Sequence, residues 1–202
     1  MLGTSGHDRV ENDFYGTIDT DCTRVLLDFL ARRGTSVLRR TVWEPACGQG
    51  HISKICRLYG ATVFESDIAP QVPGAATFDF TQAEDFTCAG FNLPANPDFI
   101  FTNPPYKREL IDAFMSKCVM YAKDYGITCA MLMRNEVDSA VTRTKFFRDC
   151  PQFDTKLSLL WRPRWIANSK GSPRHNYAWF IGSRAAGNRA AEIHHVARPK
   201  AA

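Results

Sequence analysis

Residues 41–67 read TVWEPACGQGHISKICRLYGATVFESD: a strand, a glycine turn, a helix and a second strand. Thr41-Val42-Trp43-Glu44 is a short apolar strand that runs into Pro45. Gly48 and Gly50 allow a tight turn and let a ligand approach the backbone with no Cβ in the way. The helix that follows places Ile52, Ile55, Cys56 and Tyr59 at i, i+3, i+4 and i+7 and stops at Gly60. Residues 61–68 form the next strand, with Asp67 near its end.

The same alternation extends in both directions. Upstream, residues 20–34 form a helix in which Val25, Leu26, Phe29 and Leu30 share a face and Gly34 ends the run. Downstream, residues 75–80 are a short third strand, and PDFIFTNPPY (97–106) is a buried strand cut off by two prolines. Residues 107–125 are helical, with Ile111, Phe114, Met115, Cys118 and Ala122 facing one way. Residues 127–134 are an apolar strand, roughly 142–149 a further helix, and 156–166 and 176–183 the last two strands. Continuous apolar strands alternating with helices predict an α/β fold. The sheet would be mostly parallel and seven-stranded, with helices on both faces and a C-terminal antiparallel hairpin at its edge. Residues 1–13 read as a flexible N-terminus, 14–183 as one domain, and 184–202 as a basic, Ala-rich tail, frayed or weakly helical. Ligands of such sheets sit beyond the carboxyl ends of the strands.

The 202 residues are 45% hydrophobic and 23% charged, which excludes disordered and fibrous classes. The seven cysteines are scattered with no C-x-x-C pair, against a disulfide framework or zinc knuckle. No apolar run reaches the roughly 18 residues of a membrane helix, and the first residues lack a signal-peptide core. These features predict a reduced, cytoplasmic, soluble protein without metal. The net charge of +4 is uneven: residues 1–155 hold 16 Lys and Arg against 20 Asp and Glu, whereas residues 156–202 hold nine against Glu192 alone. Such asymmetry suits either a surface for a polyanion or a solubilising tail.

Asp67, about 20 residues beyond the glycine turn, is placed where a carboxylate can accept both hydroxyls of a ribose. The turn lacks the third glycine of G-x-G-x-x-G and is not a G-x-x-x-x-G-K-[ST] loop, so a pyrophosphate cradle is poorly supported. The spacing of Glu44, Gly48, Gly50 and Asp67 resembles the S-adenosyl-L-methionine loop of class I methyltransferases. That resemblance implies a Rossmann-like fold, with the first acid near the cofactor's methionine amino group and the second on its ribose. Glu65 competes with Asp67 for the ribose, and placement at the strand end favours Asp67.

Asn103-Pro104-Pro105-Tyr106 ends the buried strand at 97–106. Two prolines fix the backbone and leave carbonyls outside any ladder. The Asn103 side-chain carbonyl and the Pro104 carbonyl can accept both hydrogens of an amino group while Tyr106 stacks on a flat ring. Two acceptors stabilise the positive charge that builds on an aryl amine as it attacks a methyl sulfonium, and no dedicated base is required. N-P-P-Y following E-P-A-C-G-x-G resembles the adenine-N6 amino DNA methyltransferases, the short phage type especially, over roughly residues 14–182. The resemblance implies cofactor contacts from Tyr15 and Thr17 in the segment before the first helix, from Ala46 and Ile68 beside the glycine turn and Asp67, from Asp79 and Phe80 at the adenine, and from Asn103. On the residues alone, Tyr15 and Thr17 equally suit a helix staple and cap, and Asp79 a plain turn.

Lys107 and Arg108 beside Tyr106, with Arg162, Arg164, Lys170 and Arg174 among the aromatics of the last hairpin, form a candidate nucleic-acid clamp or a solvated face. His194-His195 lacks neighbouring ligand types and reads as incidental. The sequence thus predicts an S-adenosyl-L-methionine-dependent methyltransferase acting on adenine N6 in DNA. The alternatives are RNA adenine N6, protein glutamine N5, or a non-catalytic DNA-binding accessory subunit. A chain with no recognition domain would take its specificity from a separate subunit.

Overall fold

The computed structural model describes residues 16–84, 97–165, 172–184 and 189–200. Eight strands form one sheet: β1 (Thr41–Glu44), β2 (Thr62–Asp67), β3 (Ala76–Thr77), β4 (Phe99–Thr102), β5 (Thr128–Arg134), β6 (Phe153–Leu159), β7 (Tyr177–Gly182) and β8 (Glu192–Val196). Their order is β3-β2-β1-β4-β5-β7-β6-β8. β7 runs antiparallel to both neighbours, β5 and β6, and every other pairing is parallel. Chain order reverses between β1 and β4, so the ends of β1, β2 and β4 open onto one crevice.

Strand alternation sorts the core into two layers. Val42, Phe99, Phe101, Ala130, Leu132, Trp179 and Ile181 face α1 (Asp21–Arg32) and α2 (His51–Leu58). Trp43, Ile100, Cys129, Met131, Met133, Ala178 and Phe180 face α3 (Arg108–Met120) on the other side. Trp43 and Trp179, the largest of the fully buried side chains described, lie on opposite faces. Each indole N–H has a partner: Trp43 Nε1 donates to Ser66 Oγ at 3.0 Å and Trp179 Nε1 to the Cys22 carbonyl at 2.7 Å. A buried indole without such a partner would cost the desolvation of its N–H. Six cysteines are free and buried, and among the described residues no helix is long and apolar enough to cross a membrane.

The sheet has eight strands where the sequence predicted seven, because the tail is neither frayed nor helical at residues 192–196. β8 pairs with β6 in parallel, from Thr155 opposite Glu192 to Leu159 opposite Val196. Its pattern is polar, but an edge strand needs only one covered face, and His194 packs edge-on against Phe29 at 5.1 Å. Ion pairs join α1 to the strand's surroundings: Arg33 to Glu192 at 2.7 Å, and Arg198 to Asp19 and Asp21 at 2.9 and 2.8 Å. The predicted helix at 142–149 is instead two 3₁₀ segments, Val137–Ser139 and Val141–Phe146. The predicted helix from 107 to 125 closes with a π turn at Tyr121–Tyr125 before Gly126. Residues 1–13 lie outside the described residues.

Removing residues 189–202 exposes the β6 edge and breaks these contacts. We expect a loss of about 2 kcal/mol in unfolding free energy, a fall in Tm of roughly 4–8 °C by thermal melting. An unchanged Tm would show that β8 contributes nothing to stability.

Candidate active site

The glycine turn is held by a bond across the crevice: Gly48 N–H donates to Asp67 Oδ2 at 2.8 Å, while Ala69 N–H donates to Oδ1 at 2.9 Å. Asp67 therefore sits at the end of β2 with each oxygen taking one backbone donor and keeping lone pairs for a ligand. Glu65, its competitor in sequence, points elsewhere, since Arg57 binds it through both terminal nitrogens at 3.0 and 2.7 Å. Gly48 has φ +48° and lines the crevice. Gly50 does not line it. Its φ of +70° makes it the left-handed start of α2, where a Cβ would meet Val72 Cγ2 at 2.9 Å and Glu65 Oε1 at 3.0 Å. Gly50 thus shapes the turn.

Glu44 is buried at the end of β1 and also lines the crevice. Its carboxyl oxygen Oε2 accepts from the Ser53 backbone N–H at 2.8 Å and from the Ser53 hydroxyl. This partners an N–H in the first turn of α2 that the helix itself leaves unpaired. Burial pushes the Glu44 pKa up to about 8, against the opposing pull of the two Ser53 bonds. The adjacent Cys47 thiol is likewise pushed up, chiefly by burial. A thiol held in its neutral form is a poor nucleophile.

Asp79 Oδ1 accepts from Thr81 N–H and Oγ1 at 2.9 and 2.7 Å, capping the 3₁₀ turn Phe80–Gln82. Both Asp79 and the buried Phe80 line the crevice, as do Ala46 and the 61% exposed Ile68. Tyr15 lies outside the described residues. Thr17 is buried, lines the crevice and accepts from Asn103 Nδ2 at 3.2 Å.

At the end of β4, Asn103, Pro104, Pro105 and Tyr106 line the same cavity. The Tyr106 hydroxyl donates to Asn103 Oδ1 at 2.5 Å. Its ring lies 6.0 Å from that of Tyr177, which Trp165 meets edge-on at 4.8 Å. Burial raises the Tyr106 pKa well above that of a free phenol, so the hydroxyl stays protonated. The tyrosine expected to present its face to a flat ring instead directs its hydroxyl to the side-chain carbonyl of Asn103.

Lining residues not expected at the site include His51, Gln71, Leu110 and Phe114. In sequence His51 is simply the first residue of the helix after the glycines. Its Nδ1 is buried with no protein partner among the described residues, and burial lowers its pKa, favouring a neutral ring.

The basic candidates divide into two groups. Lys107 and Arg108 are exposed at the start of α3, and Arg108 reaches Thr142 Oγ1 at 3.0 Å. Arg162 is exposed and donates to Asn176 Oδ1 at 3.0 Å, while Arg164 and Arg174 are also exposed. Arg134, Arg174 and Arg162 add to burial in lowering the pKa of His175. A cationic cluster thus adjoins Tyr177 at the start of β7. Lys170 lies outside the described residues. His194 is taken by Glu192 at 2.7 Å, and no metal-binding cluster occurs among the described residues.

No protein-family model matches the sequence, and no curated protein matches it. Solved structures do. A Pyrococcus horikoshii protein assigned as an RNA methyltransferase superposes with a TM-score of 0.65 at 16% identity, over 90% of this chain and 92% of that one. A Listeria monocytogenes protein assigned as a class I S-adenosylmethionine-dependent methyltransferase gives 0.62 at 11% identity, over 94% and 68%. Magnesium protoporphyrin IX methyltransferase from Synechocystis, with bound S-adenosylmethionine, gives 0.52 at 14% identity, over 82% and 80%. The fold is the Rossmann-like fold of class I methyltransferases, here with an eighth strand.

The raised pKa of Glu44 has a measurable sign. Between about pH 4.5 and about pH 8 the unfolded chain ionises this carboxyl while the folded chain keeps its proton, so stability falls as pH rises. Urea unfolding across this range should show the loss, and Glu44→Gln should remove that component. An identical pH slope in the variant would mean that Glu44 is ionised in the folded state.

Proposed function

We propose that the protein is an S-adenosylmethionine-dependent methyltransferase acting on an exocyclic amino nitrogen, with adenine N6 in DNA as its target. One observation carries the reading: a single cavity is lined at one part by Glu44, Gly48, Asp67 and Asp79 and at another by Asn103, Pro104, Pro105 and Tyr106. The donor set fits the cofactor. Asp67 retains acceptor capacity for ribose hydroxyls, Asp79 and Phe80 suit an adenine ring, and the buried unpartnered Nδ1 of His51 offers a polar contact. When bound, S-adenosylmethionine supplies a methyl group on a cationic sulfur.

The chain's own work is to seat and polarise the acceptor. The amino group displaces the Tyr106 hydroxyl from Asn103 Oδ1 and takes the Pro104 carbonyl as its second acceptor. Holding both hydrogens draws the nitrogen lone pair out of the ring and stabilises the charge that develops there. The displaced Tyr106 ring is then available to stack. The cationic cluster of Arg134, Arg162 and Arg174 beside Tyr177, with Arg164 nearby in sequence, supports a nucleic-acid acceptor, since arginines beside aromatics suit phosphate contact and base stacking. Lys107 and Arg108 would contact backbone on the other flank. A separate subunit would supply sequence readout.

The test is incubation of the full chain with methyl-labelled cofactor and DNA, RNA or protein, followed by nucleoside and amino-acid analysis. Label in N6-methyladenine from DNA is expected. Label confined to RNA, glutamine or cytosine would overturn the DNA-adenine assignment, and no transfer together with no cofactor binding by calorimetry would overturn the enzyme. Asn103→Ala should lower kcat by about 100-fold or more while changing cofactor affinity little.

A further inference from the structure

The Asn103 amide must present its carbonyl at a fixed angle, yet the terminal torsion of an asparagine is broad and roughly two-fold. Something has to hold it. Thr17, 86 positions earlier in the chain, is buried and takes the Asn103 Nδ2 hydrogen on its hydroxyl at 3.2 Å. Threonine is restricted about χ1, so for a given backbone its hydroxyl has few directions open to it. That backbone, residues 16–20, lies outside the sheet and is folded by two short contacts, Ile18 N–H to the Gly16 carbonyl at 2.8 Å and Thr20 N–H to the Ile18 carbonyl at 3.0 Å. The second of them encloses Asp19, a carboxylate whose side chain is 4% exposed. Trp161 Nε1 donates to its Oδ2 at 3.2 Å and Arg198 Nη2 to its Oδ1 at 2.9 Å. Arg198 also binds Asp21 at 2.8 Å, fixing the guanidinium on the start of α1. Bonds from a guanidinium to a carboxylate, as Arg198 makes here, are short and strong for their type.

We propose that Thr17 is a positioning residue for Asn103, and that Asp19, clamped between Trp161 and Arg198, keeps Thr17 in place. The inference rests on the reading of Asn103 as the amide that receives the amino group. It gives Thr17 a task besides any contact with the cofactor, and it links the basic hairpin and the tail to the reacting centre.

The experiment uses the full chain and two readouts. The side-chain amide signals of Asn103, assigned by their loss in Asn103→Asp, are followed by ¹⁵N NMR in Thr17→Val, Thr17→Ser, Asp19→Asn and Trp161→Phe. Methyl transfer to an adenine-containing oligonucleotide is measured in parallel. Thr17→Val should shift or broaden the Asn103 signals and lower kcat by about 10- to 100-fold, with KM for the cofactor within about threefold of the parent. Thr17→Ser, which keeps the hydroxyl, should restore both. Asp19→Asn and Trp161→Phe should move the same signals in the same direction. Unmoved Asn103 signals in Thr17→Val, or a loss expressed only in cofactor KM, would overturn the role of Thr17. Unmoved signals in both Asp19→Asn and Trp161→Phe would overturn the clamp. A parent chain that transfers no methyl would refute the proposed function, while the amide signals would still decide the positioning.

Discussion

The bond from Gly48 N–H to the Asp67 carboxylate is the constraint on which the crevice depends. β1 and β2 are neighbours whose ends point the same way, so their turns would diverge unless tied. The carboxylate ties them with one oxygen and steadies its own turn through Ala69 with the other. Glu44 makes the equivalent link from β1 to the first turn of α2 through Ser53. Two acids therefore brace the walls of a cavity and face into it, which places chemistry and architecture in the same side chains.

The two halves of that cavity are braced differently. Backbone donors meeting acid side chains fix the β1–β2 half, and those bonds survive most surface substitutions. The β4 half relies on side chains from distant parts of the chain, with Thr17 on Asn103 and Tyr177 against Tyr106. Its order follows from packing between segments that approach one another only in the folded state. The rearrangement proposed for Tyr106 would therefore belong to the half with the more adjustable supports.

Much of this was readable in the chain because it rests on local rules. Glycines after an apolar strand, prolines ending another, and an i, i+3, i+4, i+7 stripe each act over a few residues, and the two-layer core follows from alternation within β4, β5 and β7. Which glycine faces the crevice was not readable: Gly48 and Gly50 look alike in sequence, and only the neighbours Glu65 and Val72 turn Gly50 away. β8 was hidden because Glu192, His194 and His195 carry no apolar signal, and an edge strand bordered by ion pairs does not need one. The Thr17–Asn103 and Asp19–Trp161 contacts span 86 and 142 positions, beyond any periodicity. The inward Tyr106 escaped for another reason, since a resemblance suggests a side chain's task and not the rotamer in which it waits.

The Asp19–Arg198 contact joins positions 179 residues apart. A ribosome makes the chain in one direction, at about 5–20 residues per second. Asp19 therefore waits on the order of ten seconds or more, by that rate, before Arg198 is even polymerised. The sheet through β5 can assemble in the interval, but β6, β7 and the guanidinium that fixes Asp19 come last. Nascent chains thus acquire the crevice walls early and the clamp behind Thr17 late, so the segment carrying Thr17 is set only as synthesis passes its final strands.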